Sequence, residues 1–342
     1  MTLLSTFIGK IEAGQDLSEA EAESAILEII ETRASVEEVK AFLLGLRAKG
    51  ESLSEVVGAA RAMRSHATPV KVDRPPVDTC GTGGDGLKTV NISTIAALVV
   101  AGAGVVVAKH GNRSVTSSCG SADLLEALGV SVDIEPLVVE RSLRETGFGF
   151  FFAPRFHPAM KAVAMVRKEL GVPTIFNLLG PLTNPVGVRH QVVGVAREST
   201  MDLYAQALRK LGTIKALVVH GADGQDELST TGPTSVIEIN SAQDPDRVAR
   251  YTLVSEMFGI PKARLEDLRG GTPQENAIKT LEVLHGKSGP VRDAVLFNAA
   301  AALYVSGEAA DLPGGLSFAA QSIDSGRALA VLEKVKEITQ RK

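Results

Sequence analysis

Glycines and hydroxyl side chains alternate in the segment 78–94, and such a pattern can hold a phosphate group. Gly81, Gly83 and Gly86 match the dinucleotide-binding spacing G-x-G-x-x-G. A dinucleotide site also needs an acidic residue about 20 positions further on, but the stretch 86–122 contains neither Asp nor Glu. A P-loop needs a lysine directly after its second glycine, and here the lysine comes one residue too late. Neither motif is therefore present as such.

The segment nevertheless has the properties of an anion-binding loop. Glycines let backbone N–H groups approach a phosphate, and the N-terminus of a following helix adds partial positive charge. Asn91, Ser93 and Thr94 are competent caps for an apolar helix predicted at 95–100. A second strand–loop–helix passage at 105–121 has the same character. The cations and hydroxyls of the two passages include Lys88, Lys109, Arg113, Ser114, Thr116, Ser117, Ser118 and Ser121. Two such loops predict a ligand with more than one phosphate.

Two adjacent acids, Asp226 and Glu227, stand in a glycine-rich turn just after an apolar strand at 216–219. Carboxylates beside a polyphosphate repel it unless a divalent cation lies between them. Magnesium binds one or two carboxylates together with phosphate oxygens and water, and ligands of α/β sheets gather outside the carboxyl ends of strands. With Asp85 in the first loop, the pair favours a magnesium site, although such a turn alone is also typical of a solvated surface.

The elements that must position these residues follow from local patterns. Residues 1–68 contain three capping boxes of the form S-x-x-E, starting at Ser18, Ser35 and Ser52. Apolar stripes of helical spacing lie behind these boxes, which indicates a small helical domain. The segment 69–77 carries three prolines and is predicted to be a hinge. Strands are predicted at 105–108, 148–152, 191–195 and 216–219, and helices at 121–128, 158–170 and 200–211.

Alternation of apolar strands with helices over 78–342 is typical of a mainly parallel sheet flanked by helices. The predicted fold class is α/β, with a small all-α N-terminal domain and a larger α/β domain that binds the ligand.

Composition excludes several classes of protein. The 342-residue chain has a net charge of −4, which gives no general attraction to nucleic acid or anionic membrane. Two cysteines, Cys80 and Cys119, form no disulfide framework and fit a reducing compartment. The N-terminus lacks a signal-peptide pattern, and the longest apolar region, 95–108, is too short and glycine-broken to span a bilayer. We therefore expect a cytoplasmic protein with neither nucleic-acid nor membrane partners.

Taken together, the motifs resemble those of the anthranilate phosphoribosyltransferases of tryptophan biosynthesis. The matching segments are 81–85, 91–94, 109–113, 120–123, 155–161, 166–171, 174–185 and 226–227. The resemblance implies an enzyme that transfers the 5-phosphoribosyl group of 5-phosphoribosyl 1-diphosphate to the amine of anthranilate and releases pyrophosphate. It also implies Mg²⁺ as cofactor and a homodimer joined through the helical domain, to which residues about 170–188 could contribute.

The resemblance further implies roles for individual residues, none of them a general acid or base. The phosphoribosyl donor would contact Gly81, Gly84, Asp85, Thr89, Asn91, Ile92, Ser93, Thr94, Lys109, His110, Gly111, Asn112, Arg113, Ser114, Val115, Thr116, Ser117 and Ser121. Anthranilate would contact Gly81, Asn112, Arg167, His110 and His157. Mg²⁺ would be held by Ser93, Asp226 and Glu227. Cys119 stands where many relatives have lysine, so that Lys88, Lys109 and Arg113 would supply the positive charge.

Two other functions stay open on the sequence alone. A pyrimidine nucleoside phosphorylase shares this architecture and a similar glycine loop, but it has little use for a magnesium-holding pair such as Asp226 and Glu227. A non-catalytic nucleic-acid-binding protein on the same fold would present an extended basic surface, which the net charge of −4 disfavours. A redox role of Cys80 and Cys119 is a further hypothesis, since the two thiols flank the two loops.

Overall fold

Four helices form the N-terminal part of the chain in the computed structural model, which describes residues 2–114, 118–242, 244 and 248–340. They are α1 (Leu3–Glu12), α2 (Glu19–Ile30), α3 (Val36–Lys49) and α4 (Leu53–Ser65). Helices α2, α3 and α4 each begin at a predicted capping box, in which the serine accepts from the N3 amide and the N3 glutamate accepts from the serine amide. Local sequence therefore determines where these helices start.

Seven strands form one sheet within the described ranges. They are β1 (Val77–Asp78), β2 (Val107–Gly111), β3 (Phe148–Phe152), β4 (His190–Gly194), β5 (Lys215–Gly221), β6 (Thr234–Asn240) and β7 (Val248–Leu253). Their order across the sheet is β3-β2-β1-β4-β5-β6-β7. The first five in that order are parallel, and β6 and β7 pair antiparallel. The predicted mainly parallel sheet is confirmed, with an antiparallel edge that the sequence did not predict.

Helices cover both faces of this sheet. They are α5 (Ile92–Gly102), α6 (Ser121–Ala127), α7 (Pro136–Thr146), α8 (Ala153–Phe156), α9 (Lys161–Leu170), α10 (Met201–Lys210), α11 (Pro273–Leu284), α12 (Pro290–Ser306), α13 (Leu312–Asp324) and α14 (Arg327–Gln340). Along β5, Leu217 and Val219 pack into one apolar core, while Ala216 and Val218 pack into another. The strand is thus buried on both faces, as its continuous apolar run predicts.

The N-terminal helices pack directly on the α/β part. Phe42 of α3 and Val163 of α9 belong to the same apolar core as Ala216 and Val218. The hinge at 69–77 stays a prediction, and its last residue, Val77, lies in β1. No helix among the residues described above is long and apolar enough to cross a membrane.

Three connections leave the same edge of the sheet, since β1, β2 and β5 are parallel and their carboxyl ends meet there. We call them the first loop (79–91), the second loop (112–120) and the acidic turn (222–233). Strand β1 pairs with β2 on one side and with β4 on the other. This reversal of strand order is the point at which open α/β sheets bind their ligands.

Candidate functional site

The acidic turn reaches across the first loop and the start of α5. Asp226 Oδ2 accepts a hydrogen bond of 2.7 Å from the amide of Gly83. Glu227 Oε1 accepts one of 3.1 Å from the amide of Ser93, the second residue of α5. The structure thus brings together Ser93, Asp226 and Glu227, the three residues that the resemblance implied as metal ligands, although they come from distant parts of the chain.

Burial and nearby carboxylates raise the pKa of both acids of the pair. Burial raises the pKa of Asp226 to about 6, and the carboxylate of Asp85 raises it further. Burial, with the charge of Asp226, raises the pKa of Glu227 to about 8. A bound divalent cation would relieve this repulsion. The available ligands are carboxylate and hydroxyl oxygens, which Mg²⁺ prefers, and the residues therefore fit this ion.

The described residues contain no cluster of three or more His, Cys, Asp or Glu that could hold a metal by itself. This is consistent with Mg²⁺ that takes most of its ligands from substrate phosphates and water.

Two glycines provide the space for Asp226. A Cβ atom on Gly194, the last residue of β4, would lie 1.6 Å from the Asp226 carbonyl oxygen. A Cβ atom on Gly81 would lie 2.5 Å from Asp226 Oδ2. The amide of Thr82 also donates to the carbonyl of Gly194 at 2.9 Å, and Thr82 Oγ1 accepts from the amide of Ala196 at 3.1 Å. The first loop, the end of β4 and the acidic turn therefore form one closely packed unit.

Lys109 supplies a positive charge from beneath the first loop. It lies in β2 and is 2% exposed. Its Nζ donates to the carbonyl and hydroxyl of Thr79, at 3.2 and 3.3 Å, and to Ser93 Oγ at 3.4 Å. Burial raises the pKa of Asp78, in the neighbouring β1, to about 6, and the charge of Lys109 opposes this rise. The ammonium group is therefore directed at the first loop and not at solvent.

The guanidinium group of the second loop forms ion pairs with nearby acids. Arg113 forms ion pairs with Glu126 and with Asp123, the latter at 3.4 Å. Ser121 Oγ donates to the carbonyl of Asn112 at 3.3 Å. The positive charge expected from Arg113 is thus largely compensated by its neighbours in α6, and among the described residues Lys109 is the buried cation of the site. Three predicted residues of this loop, Val115, Thr116 and Ser117, lie outside the described residues.

Asn91 differs from its predicted role. Helix α5 begins at Ile92, three residues earlier than predicted, and the Asn91 side chain makes no capping hydrogen bond. Instead, its Nδ2 donates to the carbonyl of Cys119 at 3.0 Å, and its Oδ1 accepts from Asn276 Nδ2 at 3.0 Å. Asn91 therefore stands at the N-cap position of α5, but the capping hydrogen bond expected of its side chain is not made, because tertiary partners take that side chain. It connects the two loops and α11.

The other residues predicted to contact the phosphoribosyl donor lie in these two loops or at the adjoining strand and helix ends. They are Gly84, Asp85, Thr89, Ile92, Thr94, Gly111 and Ser114. Thr89 forms an isolated β-bridge with Arg269, so that the end of the first loop is attached to the segment before α11. Asp85 accepts from the amide of Leu87 at 3.1 Å, and burial raises its pKa.

Two neutral histidines lie beside the segment 174–184. His110 Nδ1 hydrogen-bonds the carbonyl of Gly180 at 3.0 Å, and His157 Nε2 hydrogen-bonds that of Thr183 at 2.9 Å. Their ring centroids are 5.3 Å apart. Burial lowers the pKa of His110 to about 3 and that of His157 to about 4, so both rings are neutral at neutral pH. A carbonyl accepts from His110 Nδ1, and its buried Nε2 has no hydrogen-bond partner among the described residues. The lone pair of Nε2 is thus without a partner among the described residues.

Arg167 reaches the same segment from α9. Its Nη2 donates to Asn177 Oδ1 at 3.4 Å, and its guanidinium lies 5.6 Å from the centroid of the Phe176 ring. Burial lowers its pKa, and no acid of the described chain acts against that shift. A guanidinium without a carboxylate partner can bind an incoming carboxylate in a bidentate manner. Asn177 and Gly180 are three residues apart, so Arg167 and His110 flank one wall, the segment 174–184.

Side chains from the whole molecule hold this wall in place, and the sequence did not identify them. The contacts are Arg64 Nε to the Leu182 carbonyl (2.6 Å), Gln191 Nε2 to the Pro181 carbonyl (2.7 Å), Tyr204 OH to the Leu178 carbonyl (2.8 Å) and Asn184 Nδ2 to Asp78 Oδ2 (2.8 Å). The feature of the sequence that could have identified such residues is a polar residue within an apolar pattern, such as Gln191 at the start of the run 191–195.

Comparisons with known proteins give matches to one family over nearly the whole chain. Residues 73–329 match the model of the glycosyl transferase family, a/b domain, and residues 5–67 match its helical bundle domain. The chain is 51% identical to an anthranilate phosphoribosyltransferase from Methanosarcina acetivorans over 98% of its own length and 90% of the relative. It is 43% identical to the crystal structure of that enzyme from Thermus thermophilus, with a TM-score of 0.91, covering 98% of this chain and 99% of the other. The Saccharomyces cerevisiae enzyme in complex with PRPP and Mg is 31% identical, with a TM-score of 0.88, covering 98% and 97%.

Proposed function

The chain belongs to the glycosyl transferase family that includes the anthranilate phosphoribosyltransferases, and from this premise we propose how its own residues perform that reaction. The reaction transfers the 5-phosphoribosyl group of 5-phosphoribosyl 1-diphosphate to the amine of anthranilate and releases pyrophosphate. The observation that carries the proposal is the hydrogen bonding of Asp226 and Glu227 to the first loop and to the N-terminus of α5. The acid pair thus lies beside the glycine-rich first loop, which supports the proposal.

Charge stabilisation is the main task on the donor side. Breaking the anomeric C–O bond builds negative charge on the departing diphosphate. Backbone amides of the first loop, the N-terminus of α5 and the buried ammonium of Lys109 are already in place, so that they stabilise this charge without reorganisation. Ser93, Asp226 and Glu227 would hold Mg²⁺, which supplies further neutralisation of the diphosphate.

Positioning is the main task on the acceptor side. The amine of anthranilate has a free lone pair at neutral pH, so that no strong general base is needed before attack. The guanidinium of Arg167, which forms no ion pair with a described residue, suits the carboxylate of anthranilate. His110 is neutral, and its Nε2 lone pair can accept from the amine. Together with Asn112 and His157, these residues would hold the acceptor in line with the donor, and proximity then lowers the barrier.

One assay separates this proposal from the phosphorylase alternative. The purified protein is mixed with anthranilate, 5-phosphoribosyl 1-diphosphate and Mg²⁺, and anthranilate fluorescence is followed. We expect the fluorescence to fall, and to fall only when both the donor and the metal are present. A parallel sample receives thymidine and inorganic phosphate. Constant fluorescence in the first sample together with release of thymine in the second would refute the proposal.

We also propose a homodimer joined through the helical part. Leu3, Val36 and Leu44 on α1 and α3, and Met165 on α9, are large apolar residues that are exposed in the single chain. Exposed apolar residues concentrated on neighbouring helices support an interface there.

The two cysteines are free thiols, which supports a reducing compartment such as the cytoplasm.

A further inference from the structure

Asn298 of α12 clamps the residue that follows the acid pair. Its Oδ1 accepts from the amide of Leu228 at 2.9 Å, and its Nδ2 donates to the carbonyl of Leu228 at 3.0 Å. Nδ2 also donates to the carbonyl of Ala294, one turn earlier in α12, at 3.0 Å. Asn298 is 3% exposed and Leu228 is fully buried. A single side-chain amide thus satisfies both main-chain polar groups of Leu228 and fixes them to a rigid helix.

The other side of the acid pair is fixed within the acidic turn itself. Asp223 Oδ2 accepts from Gln225 Nε2 at 2.5 Å and from Ser229 Oγ at 2.8 Å, and it also accepts from Thr231 Oγ1. The amide of Gly221 donates to the carbonyl of Gln225 at 2.9 Å. These bonds close the turn and tie it to the end of β5, and the amide of Ser229 also donates to Thr234 Oγ1 of β6 at 2.9 Å, but none of them reaches α12. Asn298 is therefore the side chain that connects the end of the acid pair to helix α12.

Such a connection matters because a bound cation requires both acids in the ionised form, in which the two carboxylates repel each other. The Glu227 side chain is attached to the Cα atom immediately before the peptide bond to Leu228. The orientation of that peptide therefore sets the direction in which the Glu227 side chain points. If the peptide could rotate, repulsion would favour a geometry in which Glu227 moves away from Asp226 and loses the amide of Ser93. A small displacement of this kind is sufficient to disrupt a metal site, because hydrogen bonds from residues behind the ligands keep the ligands in position.

We propose that Asn298 is a positioning residue that keeps Glu227 directed at the metal and diphosphate. This inference rests on the proposed function, because it takes Asp226 and Glu227 as the metal-holding pair. The hydrogen bonds of Asn298 all go to main-chain groups of Leu228 and Ala294, so that it acts through Leu228.

The test uses Asn298→Ala, which removes both hydrogen bonds to Leu228, and Asn298→Ser, whose hydroxyl can keep one of them. The matched control is Ser322→Ala in α13, because Ser322 is fully buried and donates to the carbonyl of Val99 at 2.7 Å, remote from the acid pair. It loses a buried bond from side chain to main chain of the same kind. A fourth protein, Asp226→Asn combined with Glu227→Gln, removes the acids.

Two readouts are measured: Mn²⁺ binding in the presence of pyrophosphate by electron paramagnetic resonance, and the Mg²⁺ concentration at half-maximal rate. For Asn298→Ala we expect both to shift about 10-fold toward weaker binding, the lower end of the range for residues behind metal ligands. The KM for anthranilate should change less than 2-fold. Asn298→Ser should lie between this variant and the wild type, and it serves as the folded test if Asn298→Ala is unstable. Ser322→Ala should bind Mn²⁺ like the wild type.

The outcomes distinguish the two claims. Mn²⁺ affinities of the Asn298 variants within 2-fold of Ser322→Ala, while the double acid variant loses binding, would overturn the positioning role and leave the proposed function intact. Unchanged Mn²⁺ binding in the double acid variant would overturn the metal assignment, and with it this inference. A fall in kcat at every Mg²⁺ concentration, without a shift in metal dependence, would mean that Asn298 is only structural.

Discussion

Replacement of Gly194 by alanine should displace Asp226 without touching either substrate. The new Cβ atom would lie 1.6 Å from the Asp226 carbonyl oxygen and 2.3 Å from its carbonyl carbon, and both atoms belong to the backbone, which cannot rotate away. Since Cβ contacts below 3.0 Å essentially never occur, the acidic turn and the end of β4 must separate by about 1.4 Å. The Asp226–Gly83 bond of 2.7 Å would then exceed hydrogen-bonding distance.

A misplacement of about 1 Å can cost about 100-fold in rate, which corresponds to about 2.7 kcal/mol in the activation free energy. We therefore expect kcat/KM for the phosphoribosyl donor to fall about 100-fold in Gly194→Ala. Insertion of a methyl group into a packed region also costs about 1–3 kcal/mol of stability, so the folded fraction is checked first by urea titration. The rate is then measured by loss of anthranilate fluorescence at saturating Mg²⁺.

Gly232→Ala provides the control. Gly232 lies in the same acidic turn, a Cβ atom there meets nothing within 4 Å, and its φ is not in the left-handed region. This variant should keep the wild-type rate. If Gly194→Ala were folded and within 3-fold of the wild type, the close approach of β4 to Asp226 would not control the site. Equal losses in both variants would refute the reasoning as well.

Three further predictions concern the acceptor, the acids and the dimer. Arg167→Ala should raise KM for anthranilate about 10- to 100-fold, and an equal rise in KM for the donor would show that the residue is only structural. Burial raises the pKa of Glu227 from 4.5 to about 8. The folded protein therefore holds this proton more tightly than the unfolded chain, and the stabilisation, full below pH 4.5, is lost as the pH rises through about 8. The free energy of unfolding without Mg²⁺ should accordingly depend less on pH in Asp226→Asn/Glu227→Gln, and a urea-derived pH profile that matches the wild type would contradict this. Leu44→Glu should yield monomers by light scattering, whereas Leu137→Glu, at a residue 75% exposed on α7, should not; dimers in both would exclude the α3 interface.

Local signals predicted the elements that depend on local physics. The capping boxes at Ser18, Ser35 and Ser52 start helices because serine and glutamate three residues apart satisfy each other's amides. The run 148–152 is a strand in the structure as predicted, because its aromatic side chains are buried on both faces. Neither inference needs any knowledge of distant residues.

Elements that depend on distant partners have weak or misleading local signals. Strand β1 has only two residues, too few for any periodic pattern, and it exists because β2 and β4 pair with it. Strands β6 and β7 form the antiparallel edge, where the partner and not the apolar run defines the strand. Asn91 has a good capping side chain, but Cys119 and Asn276 take its hydrogen bonds.

The same limit applies to the site. Glycines and adjacent acids indicated the first loop and the acidic turn, because their chemistry is visible in residue type. The ion pairs of Arg113 with Asp123 and Glu126 require the fold, since they depend on the path of the second loop before α6. Asn298 could not be identified from the sequence for another reason. It stands between apolar residues of α12 and resembles an interruption of a core helix.

The shortness of β1 has a geometric consequence for the first loop. Beyond Asp78, β2 continues to Gly111 and β4 continues to Gly194, with no strand between them in the described part of the sheet. Neighbouring strands are about 4.8 Å apart, so β2 and β4 remain about 10 Å apart, centre to centre, beyond Asp78. The first loop lies in this gap, where the amide of Thr82 donates to the carbonyl of Gly194. Loop backbone therefore stands where a central strand would lie, and any change that extended β1 by a few residues would replace the first loop there with paired strand backbone.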